Sequence, residues 1–282
     1  MASALFTRWF QLQVFTPGFR KHLAADPSAP WCSPDPAQRL LVDVIRLRRR
    51  LTPYAESSGA DQDLAPHVPR ARAASRRSAD FTRDAVSLGP QSFGPSLRVI
   101  PAPPAATEAL PVALPPENGW IDFWTGAAYA GGQTVRVAAP LEQVPIFVRA
   151  GTILPLAAGD EGAARAPCPL EIRIYPGTDG SFLLRERIDE KYAGHASIVF
   201  EWDERERTLR VGPLGSPKRQ ALPRRLKIIV VHLGRGIGAE CPQRPDLEVD
   251  WQGKPLRLGL PPSAPRRNIP ALHSPRAVTV FR

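Results

Sequence analysis

The fold is decided by residues 119–156, which read GWIDFWTGAAYAGGQTVRVAAPLEQVPIFVRAGTILPL. Short runs of aromatic and β-branched residues alternate there with turn-forming glycine and proline residues. The runs are Trp120 to Trp124, Thr134 to Val137, Val144 to Val148 and Thr152 to Leu156. Runs of this length bury one face only by pairing with neighbouring strands. They predict a train of antiparallel strands in a β-sandwich or a barrel wall.

Three sequence motifs follow one another within this stretch. They are W-x-D-F-W-T-G at residues 120–126, G-G-Q-T at 131–134 and P-x-F-V-R-A-G-x-I-x-P at 145–155. In this order they resemble the region just after the catalytic barrel in glycoside hydrolase family 31, the α-glucosidases and α-xylosidases. The resemblance implies a β-domain that braces the barrel and carries none of the catalytic carboxylates.

Composition and charge argue against a nucleic-acid-binding protein. The 282 residues suffice for one large or two to three small domains, and the 33 prolines favour loops and short elements over long helices. The net charge of +10 comes largely from arginines scattered over several segments. No recognition helix, RNP-like strand or zinc-binding spacing accompanies them, so we expect a solvated basic surface and no nucleic-acid partner.

Cysteine spacing and hydropathy point to an ordinary intracellular protein. Cys32, Cys168 and Cys241 are far apart and form no C-x-x-C pair, so we expect reduced thiols and no metal or other cofactor. No apolar run approaches the ~18 residues of a membrane span, and the N-terminus lacks the pattern of a signal peptide. We expect a cytoplasmic protein with no membrane partner.

Two amphipathic helices are predicted at the start of the chain. Ser3 can cap the first, and Pro17-Gly18 ends it. Its apolar residues are Leu5, Phe6, Trp9, Phe10 and Leu12. Asp35 caps the second helix with Pro36 at its first position, and a stripe from Leu40 to Leu51 gives it an apolar face.

Both helices resemble the end of the family 31 barrel. In the family, L-x-x-R-W-x-Q is followed by F-R-x-H, and residues 5–11 and 19–22 match these patterns. The pattern L-x-P-Y after the second helix is matched by residues 51–54. The resemblance implies that this chain begins late inside the barrel, so residues 1–55 are expected to be a helical barrel remnant.

An irregular segment and a second strand train are predicted downstream. Residues 56–92 show no core-forming period, and the family pattern resumes at Phe93. Strands are predicted from Leu170 to Leu233, followed by a hairpin from Leu247 to Leu258 that turns at Gln252-Gly253. Two elements, I-x-x-Y-P-G-x-D-G-S-F-x-L at 172–184 and W-D-x-x-x-R-T-L-x-V-G at 202–212, resemble the distal C-terminal domain of family 31.

The predicted fold class is therefore mainly β, with two antiparallel β-sandwich domains after a helical remnant of a (β/α)8 barrel. The expected parts are the remnant at 1–55, the irregular segment at 56–92, a proximal sandwich at 93–160, a distal sandwich at 168–258 and a tail at 259–282.

The chemistry of a retaining glycosidase requires two carboxylates about 5 to 5.5 Å apart. In family 31 both are aspartates in barrel motifs that lie before the helix where this chain starts, and nothing here matches either motif. Asp26, on a predicted loop, is a candidate carboxylate that no motif supports. We therefore expect no catalytic residue in this chain and no hydrolysis by it alone.

One residue is expected to touch sugar. His22 matches the histidine of F-R-x-H, which in the family hydrogen-bonds substrate hydroxyls, and imidazole can donate to or accept from a hydroxyl. The alternative is an exposed histidine without a role. His67, His195, His232 and His273 lack partners at metal or triad spacing and are assigned no chemistry.

These observations predict the C-terminal part of a family 31 α-glycosidase that acts on an α-linked glucoside or xyloside. A separately encoded upstream chain that carries the barrel is a possible partner. The alternative function is a non-catalytic β-sandwich module that binds carbohydrate or a protein. Basic association with nucleic acid is a third reading.

Overall fold

The computed structural model of the chain describes residues 2–16, 36–60, 90–103, 109–116, 119–158, 168–187, 195–214, 222–240 and 244–261. Three helices precede the strands: α1 (Ala2–Gln13), α2 (Pro36–Arg50) and α3 (Thr52–Ala60). The first eight strands are β1 (Gln91–Phe93), β2 (Leu97–Val99), β3 (Leu110–Ala113), β4 (Trp120–Asp122), β5 (Ala128–Tyr129), β6 (Thr134–Val137), β7 (Ile146–Arg149) and β8 (Ile153–Ala157). The others are β9 (Leu170–Ile174), β10 (Gly180–Arg187), β11 (His195–Asp203), β12 (Thr208–Leu214), β13 (Arg224–Val230), β14 (Leu247–Trp251) and β15 (Leu256–Gly259).

The proximal part is a five-stranded antiparallel sheet covered on both faces. Its strand order is β1-β2-β7-β4-β5, and β3 pairs with β6 in a separate two-stranded sheet. On one face, Trp120 and Phe147 pack with Val112, Val135 and Val137 of the two-stranded sheet. On the other face, neighbouring residues of β4 and β7 pack against the helices. Successive side chains along a strand point to opposite faces of the sheet, so the five-stranded sheet contributes residues to two hydrophobic cores.

Helix α2 follows the predicted amphipathic pattern. Leu41, Val44 and Leu47 recur at helical spacing and are buried in the core shared with α1 and the five-stranded sheet. Three arginines occupy its last turn, where the helix dipole favours cations. Its sequence therefore accounts for both its burial and its end.

The distal part contains two four-stranded sheets with a shared core. Their strand orders are β10-β11-β12-β15 and β14-β13-β9-β8. Ile172 and Ile228 from the second sheet pack with Phe200 and Leu209 from the first. The first sheet is antiparallel throughout its pairings, whereas β13 and β9 of the second run parallel. The mainly β, largely antiparallel fold class predicted from the sequence is thus observed.

The position of β8 differs from the prediction, which placed residues 93–160 in one proximal sandwich. Strand β8 pairs antiparallel with β9, with Ile153 opposite Ile174, and so belongs to a distal sheet. Its neighbour β7 already pairs with β2 on one edge and β4 on the other. Because β7 has no free edge, β8 crosses to the distal sheet and makes the two parts continuous.

The predicted hairpin from Leu247 to Leu258 is wrong. Strand β14 pairs with β13, whereas β15 pairs with β12, so the two strands lie in different sheets. Trp251 ends β14 buried in the distal core, and its Nε1 donates to the Lys254 carbonyl at 2.6 Å. With the Trp251 ring buried at the end of β14, the chain continues into the other distal sheet and does not turn back to pair with β14.

The predicted irregular segment is regular at both ends. Helix α3 continues to Ala60 and β1 begins at Gln91. Tyr54 of α3 donates its hydroxyl to the Phe93 carbonyl at 3.2 Å and accepts from the Ser96 amide at 3.0 Å. These bonds fix α3 against the start of the five-stranded sheet. Residues 61–89 and the tail after residue 261 lie outside the described part.

Candidate functional site

The two residues that sequence analysis considered for sugar chemistry lie outside the described structure. His22 and Asp26 belong to residues 17–35, between α1 and α2. Asp35, the predicted helix cap, belongs to the same range. What the structure does describe is how the chain is held on either side of this connection.

Helix α1 is fastened to the proximal part through its polar face. The Arg8 guanidinium donates to the Gln143 carbonyl at 3.0 Å and to the Ala139 carbonyl. Gln11 Nε2 donates to the Leu141 carbonyl at 2.7 Å and Gln11 Oε1 accepts from Arg8 at 3.1 Å. Burial lowers the pKa of the Arg8 guanidinium, and Glu142 raises it. These are the arginine and glutamine of the L-x-x-R-W-x-Q motif.

The remaining motif residues of α1 face outward. Leu5, Phe6 and Trp9 are 50%, 37% and 45% exposed, and the Phe6 and Trp9 rings lie 5.8 Å apart. Phe10, predicted on the same apolar face, is buried instead. We call Leu5, Phe6 and Trp9 the outer face of α1. It is an exposed aromatic surface on a helix whose opposite side is fixed.

The end of α1 is fixed in the core. Val14 and Phe15 are fully buried, and the Phe15 ring meets Phe93 edge-on at 5.3 Å. Thr16 Oγ1 donates to the Gln13 carbonyl at 2.7 Å. The chain therefore enters the connection that carries His22 from an anchored position.

Helix α2, on the far side of that connection, is held by a buried ion triad. Glu171 of β9 accepts from Arg50 Nη2 at 2.8 Å and from Arg173 Nε at 2.6 Å. Arg50 also donates to the Ala157 carbonyl at 3.0 Å and to the Ala239 carbonyl. The two guanidinium groups share one carboxylate, and the backbone carbonyls of Ala157, Ala239 and Gly238 solvate the net positive charge that remains. The triad ties the second helix to the distal sheet.

The aspartate of W-x-D-F-W-T-G has a structural use. Asp122 Oδ1 accepts from the amides of Trp124 at 2.7 Å and Thr125 at 2.9 Å, which closes the turn after β4. Burial raises the pKa of the Asp122 carboxyl, and these amide bonds lower it. Gly126 follows with φ of +72°, and a Cβ there would lie 2.2 Å from the His232 carbonyl oxygen. The motif thus builds a turn packed against the distal part.

A polar groove with a volume of about 630 Å³ lies where the proximal and distal parts meet. It is bordered by the β7 to β8 turn, the β9 to β10 turn and the adjoining ends of β10 and β11. Its lining includes carboxylates, guanidinium groups and hydroxyls. Sequence analysis did not identify this groove.

Metal and membrane features are not found in the described residues. No group of three or more His, Cys, Asp or Glu side chains among them is arranged to hold a metal ion. No helix there combines the length and apolar character required to cross a bilayer. Cys168 forms no disulfide with a described residue, and burial raises the pKa of its thiol.

Comparison with known proteins shows what the chain is similar to. The model of the glycosyl hydrolase family 31 C-terminal domain matches residues 89–154, and that of the family 31 TIM-barrel domain matches residues 1–57. The α-xylosidase of Saccharolobus solfataricus is 31% identical over 257 residues, which is 89% of this chain. Residues 1–57 and 89–154 thus resemble domains of glycoside hydrolase family 31.

Family 31 enzymes of known structure share this architecture. The α-xylosidase of Xanthomonas citri superposes on 92% of the chain with a TM-score of 0.70 and 26% identity. A dextranase of Flavobacterium johnsoniae superposes on 80% with a TM-score of 0.56 and 23% identity, which shows a shared fold. The chain spans 34% of the length of the Saccharolobus solfataricus relative and 29% of the Xanthomonas citri chain.

Sequence analysis missed the residues that hold the helices in place. Arg8 and Gln11 are polar residues one helical turn apart, and both lie next to aromatic residues in α1. Glu171 and Arg173 alternate with Leu170, Ile172 and Ile174 in a strand buried on both faces. Such polar residues within apolar segments indicate buried pairing, but the partner cannot be read from spacing alone.

Proposed function

We propose that this chain is the C-terminal part of a retaining α-glycosidase of family 31 that acts on α-xylosides or α-glucosides. The supporting observation is the way in which α1 is attached to the proximal part. Arg8 and Gln11 fasten one side of the helix to the proximal part, while the outer face of α1 stays exposed. A helix held in this way can form one wall of a larger barrel and transmit rigidity from the β-domains to it.

The same arrangement supports a positioning role for the connection that bears His22. Val14 and Phe15 anchor its first end, and burial of Leu41 in the same core holds the first half of α2, which follows its second end. In this proposal His22 hydrogen-bonds a substrate hydroxyl, as its F-R-x-H motif implies. Two fixed ends restrict where that imidazole can lie, and such restriction is the contribution of positioning residues to catalysis.

The catalytic carboxylates are proposed to come from barrel strands that this chain does not supply. A complete barrel takes roughly 250 residues, whereas the TIM-barrel model matches residues 1–57 only. A nucleophile and an acid/base carboxylate must both be held at strand ends of that barrel. The chain alone is therefore proposed to be inactive. The preferred substrate is an α-xyloside, because two relatives that match 89% and 92% of the chain are α-xylosidases.

A chimeric enzyme tests this proposal. The Saccharolobus solfataricus α-xylosidase is rebuilt with residues 1–261 of this chain in place of its matched C-terminal third. We expect the chimera to hydrolyse p-nitrophenyl α-xyloside. His22→Ala should lower its kcat/KM about tenfold, the effect of one lost hydrogen bond to substrate.

The matched control is His232→Ala, in a turn of the distal part, where the ring Nδ1 lies 3.3 Å from the neighbouring Leu233 carbonyl. This variant should retain the activity of the chimera. An active chimera in which His22→Ala and His232→Ala behave alike would contradict the role given to His22. A chimera that folds, by circular dichroism and a cooperative melt, yet shows no hydrolysis would contradict the proposed function.

A further inference from the structure

The polar groove between the two parts is formed by rigid backbone. A Cβ placed on Gly180 would lie 1.7 Å from the Gly151 carbonyl oxygen, so the two turns below the groove touch backbone to backbone. The Gly151 amide donates to the Tyr175 carbonyl at 2.7 Å, and the Tyr175 amide donates to the Thr152 carbonyl at 2.9 Å. The backbone of these turns therefore needs little further ordering when a ligand binds, which favours affinity.

Charges of both signs line the groove. Asp179, Glu201 and Asp203 supply carboxylates, while Arg149 and Arg210 supply guanidinium groups. Glu201 and Arg210 face each other across β11 and β12 and are exposed. An anionic ligand would meet the three carboxylates, and a cationic ligand would meet the two guanidinium groups. The lining therefore favours a neutral ligand that both donates and accepts hydrogen bonds.

A buried hydroxyl in the lining lacks a partner. Thr152 is 6% exposed, and its Oγ1 has no hydrogen-bond partner among the described residues. Asp179 and Asp203, by contrast, each use one carboxylate oxygen to accept a backbone amide, from Glu204 and Glu206 at 2.8 Å. The Thr152 oxygen has almost no accessible surface, so the polar contacts open to a ligand are those of exposed lining side chains such as Glu201 and Arg210.

We propose that this groove is a binding site for a neutral oligosaccharide. Sugar hydroxyls donate to carboxylates such as Glu201 and accept from guanidinium groups such as Arg210. The partly buried Phe182 ring in the lining offers an apolar surface for the C–H face of a sugar. The volume of about 630 Å³ lies within the range of small-molecule sites. The site requires no hydrolysis and is independent of the proposed glycosidase activity.

Calorimetric titration of the full chain with maltotriose, a neutral trisaccharide, tests the site. We expect saturable binding at a single site. Glu201→Gln and Arg210→Gln should each raise Kd about tenfold, because each removes a charged hydrogen-bonding partner. Matched controls are Glu248→Gln on β14 and Arg136→Gln on β6, both exposed and distant from the groove lining. These controls should leave Kd unchanged.

Two further measurements exclude trivial explanations. Thermal melts should show that all four variants unfold like the unmodified chain, since all four side chains are exposed. Glucose 6-phosphate and glucosamine, which carry opposite charges, should bind more weakly than methyl α-glucoside. The site is refuted if maltotriose gives no saturable binding to the folded chain, or if the groove variants and their controls bind it equally well.

Discussion

At the scale of single residues, the ion triad of Arg50, Glu171 and Arg173 is the most consequential polar contact between the helices and the β-sheets. Glu171 accepts from both guanidinium groups, at 2.8 and 2.6 Å. All three side chains are almost completely buried. Each charge gives up its hydration, so the free energy of the triad depends on the carboxylate that links the two cations.

Glu171→Gln should therefore destabilise the chain strongly. The substitution keeps the size of the side chain but leaves two guanidinium groups buried without a counter-charge, which costs about 3–5 kcal/mol. Urea unfolding followed by circular dichroism measures the loss. Glu248→Gln on the exposed edge of β14 is the control, and it should change the free energy of unfolding by less than about 0.5 kcal/mol. Equal effects of the two variants would show that the triad does not stabilise the fold.

Two buried tyrosines should make stability depend on alkaline pH. Burial raises the pKa of Tyr54 and of Tyr175 to about 12, from an ordinary value of 10.0. The unfolded chain releases these protons near pH 10, whereas the folded chain retains them. Stability that is fully present below pH 10 is therefore lost as the pH rises toward 12, by up to about 1.4 kcal/mol per pH unit for each tyrosine.

Urea unfolding at a series of pH values above about 9 measures this slope. Tyr54→Phe should reduce the slope by up to about 1.4 kcal/mol per pH unit, because one of the phenols that keep their proton in the folded chain is gone. The variant also loses the hydrogen bonds to Phe93 and Ser96, so the slope and not the absolute stability is the quantity to compare. A slope that is unchanged by the substitution would contradict burial of the Tyr54 hydroxyl.

At the scale of elements, the contact between the β7 to β8 turn and the start of β10 joins the two parts of the molecule. Gly180→Ala should disrupt it, because the added Cβ would lie 1.7 Å from a backbone oxygen that cannot move alone. We expect a loss of more than about 3 kcal/mol in the free energy of unfolding.

Gly212→Ala is the matched control for this substitution. Gly212 lies on β12 of the same sheet, and a Cβ there meets nothing within 4 Å. Its stability should be unchanged or raised by up to about 1 kcal/mol, since alanine restricts the unfolded chain more than glycine does. If both variants melt at the temperature of the unmodified chain, the two turns are not in contact.

The strands were the elements most accessible from sequence. Short apolar runs between turn residues located β4, β6, β7 and β8, because periodicity and turn chemistry are local properties. Pairing is not local. That β8 joins β9, and that β14 and β15 separate into different sheets, depends on which strand edges are already occupied. Such competition between distant segments leaves no trace in the spacing of apolar residues.

The residues of the candidate site were likewise predicted from the sequence only in part. A sequence motif suggested a role for His22. The groove around Thr152 could not be predicted in this way, because its lining residues come from strands and turns that are far apart in sequence. The roles of Arg8 and Gln11 were also hidden. Their motif was recognised in the sequence. The structure shows that both side chains point toward the loop at 139–143.

At the scale of the whole molecule, the outer face of α1 should cause self-association. Leu5, Phe6 and Trp9 present exposed apolar surface with nothing packed on it among the described residues. Burial of such surface between copies lowers the free energy by about 25 cal/mol per Å² of apolar area. Light scattering of the purified chain should therefore show oligomers that grow with concentration.

The combined replacement of Leu5, Phe6 and Trp9 by glutamine should shift the chain toward a monomer. The control replaces Leu214, Leu222 and Leu233, which are also exposed but lie elsewhere in the distal part. That control should leave association unchanged. A monodisperse monomer from the unmodified chain at high concentration would contradict the prediction.

The proposed function assigns this chain the brace of a family 31 glycosidase and leaves the catalytic carboxylates to the barrel. Hydrolysis of p-nitrophenyl α-xyloside and α-glucoside by the isolated chain tests it most directly, because a good leaving group relaxes the need for an acid catalyst. We expect no turnover above buffer for the unmodified chain, and none for Asp26→Asn or His22→Ala. Turnover above buffer that disappears in either variant would contradict it.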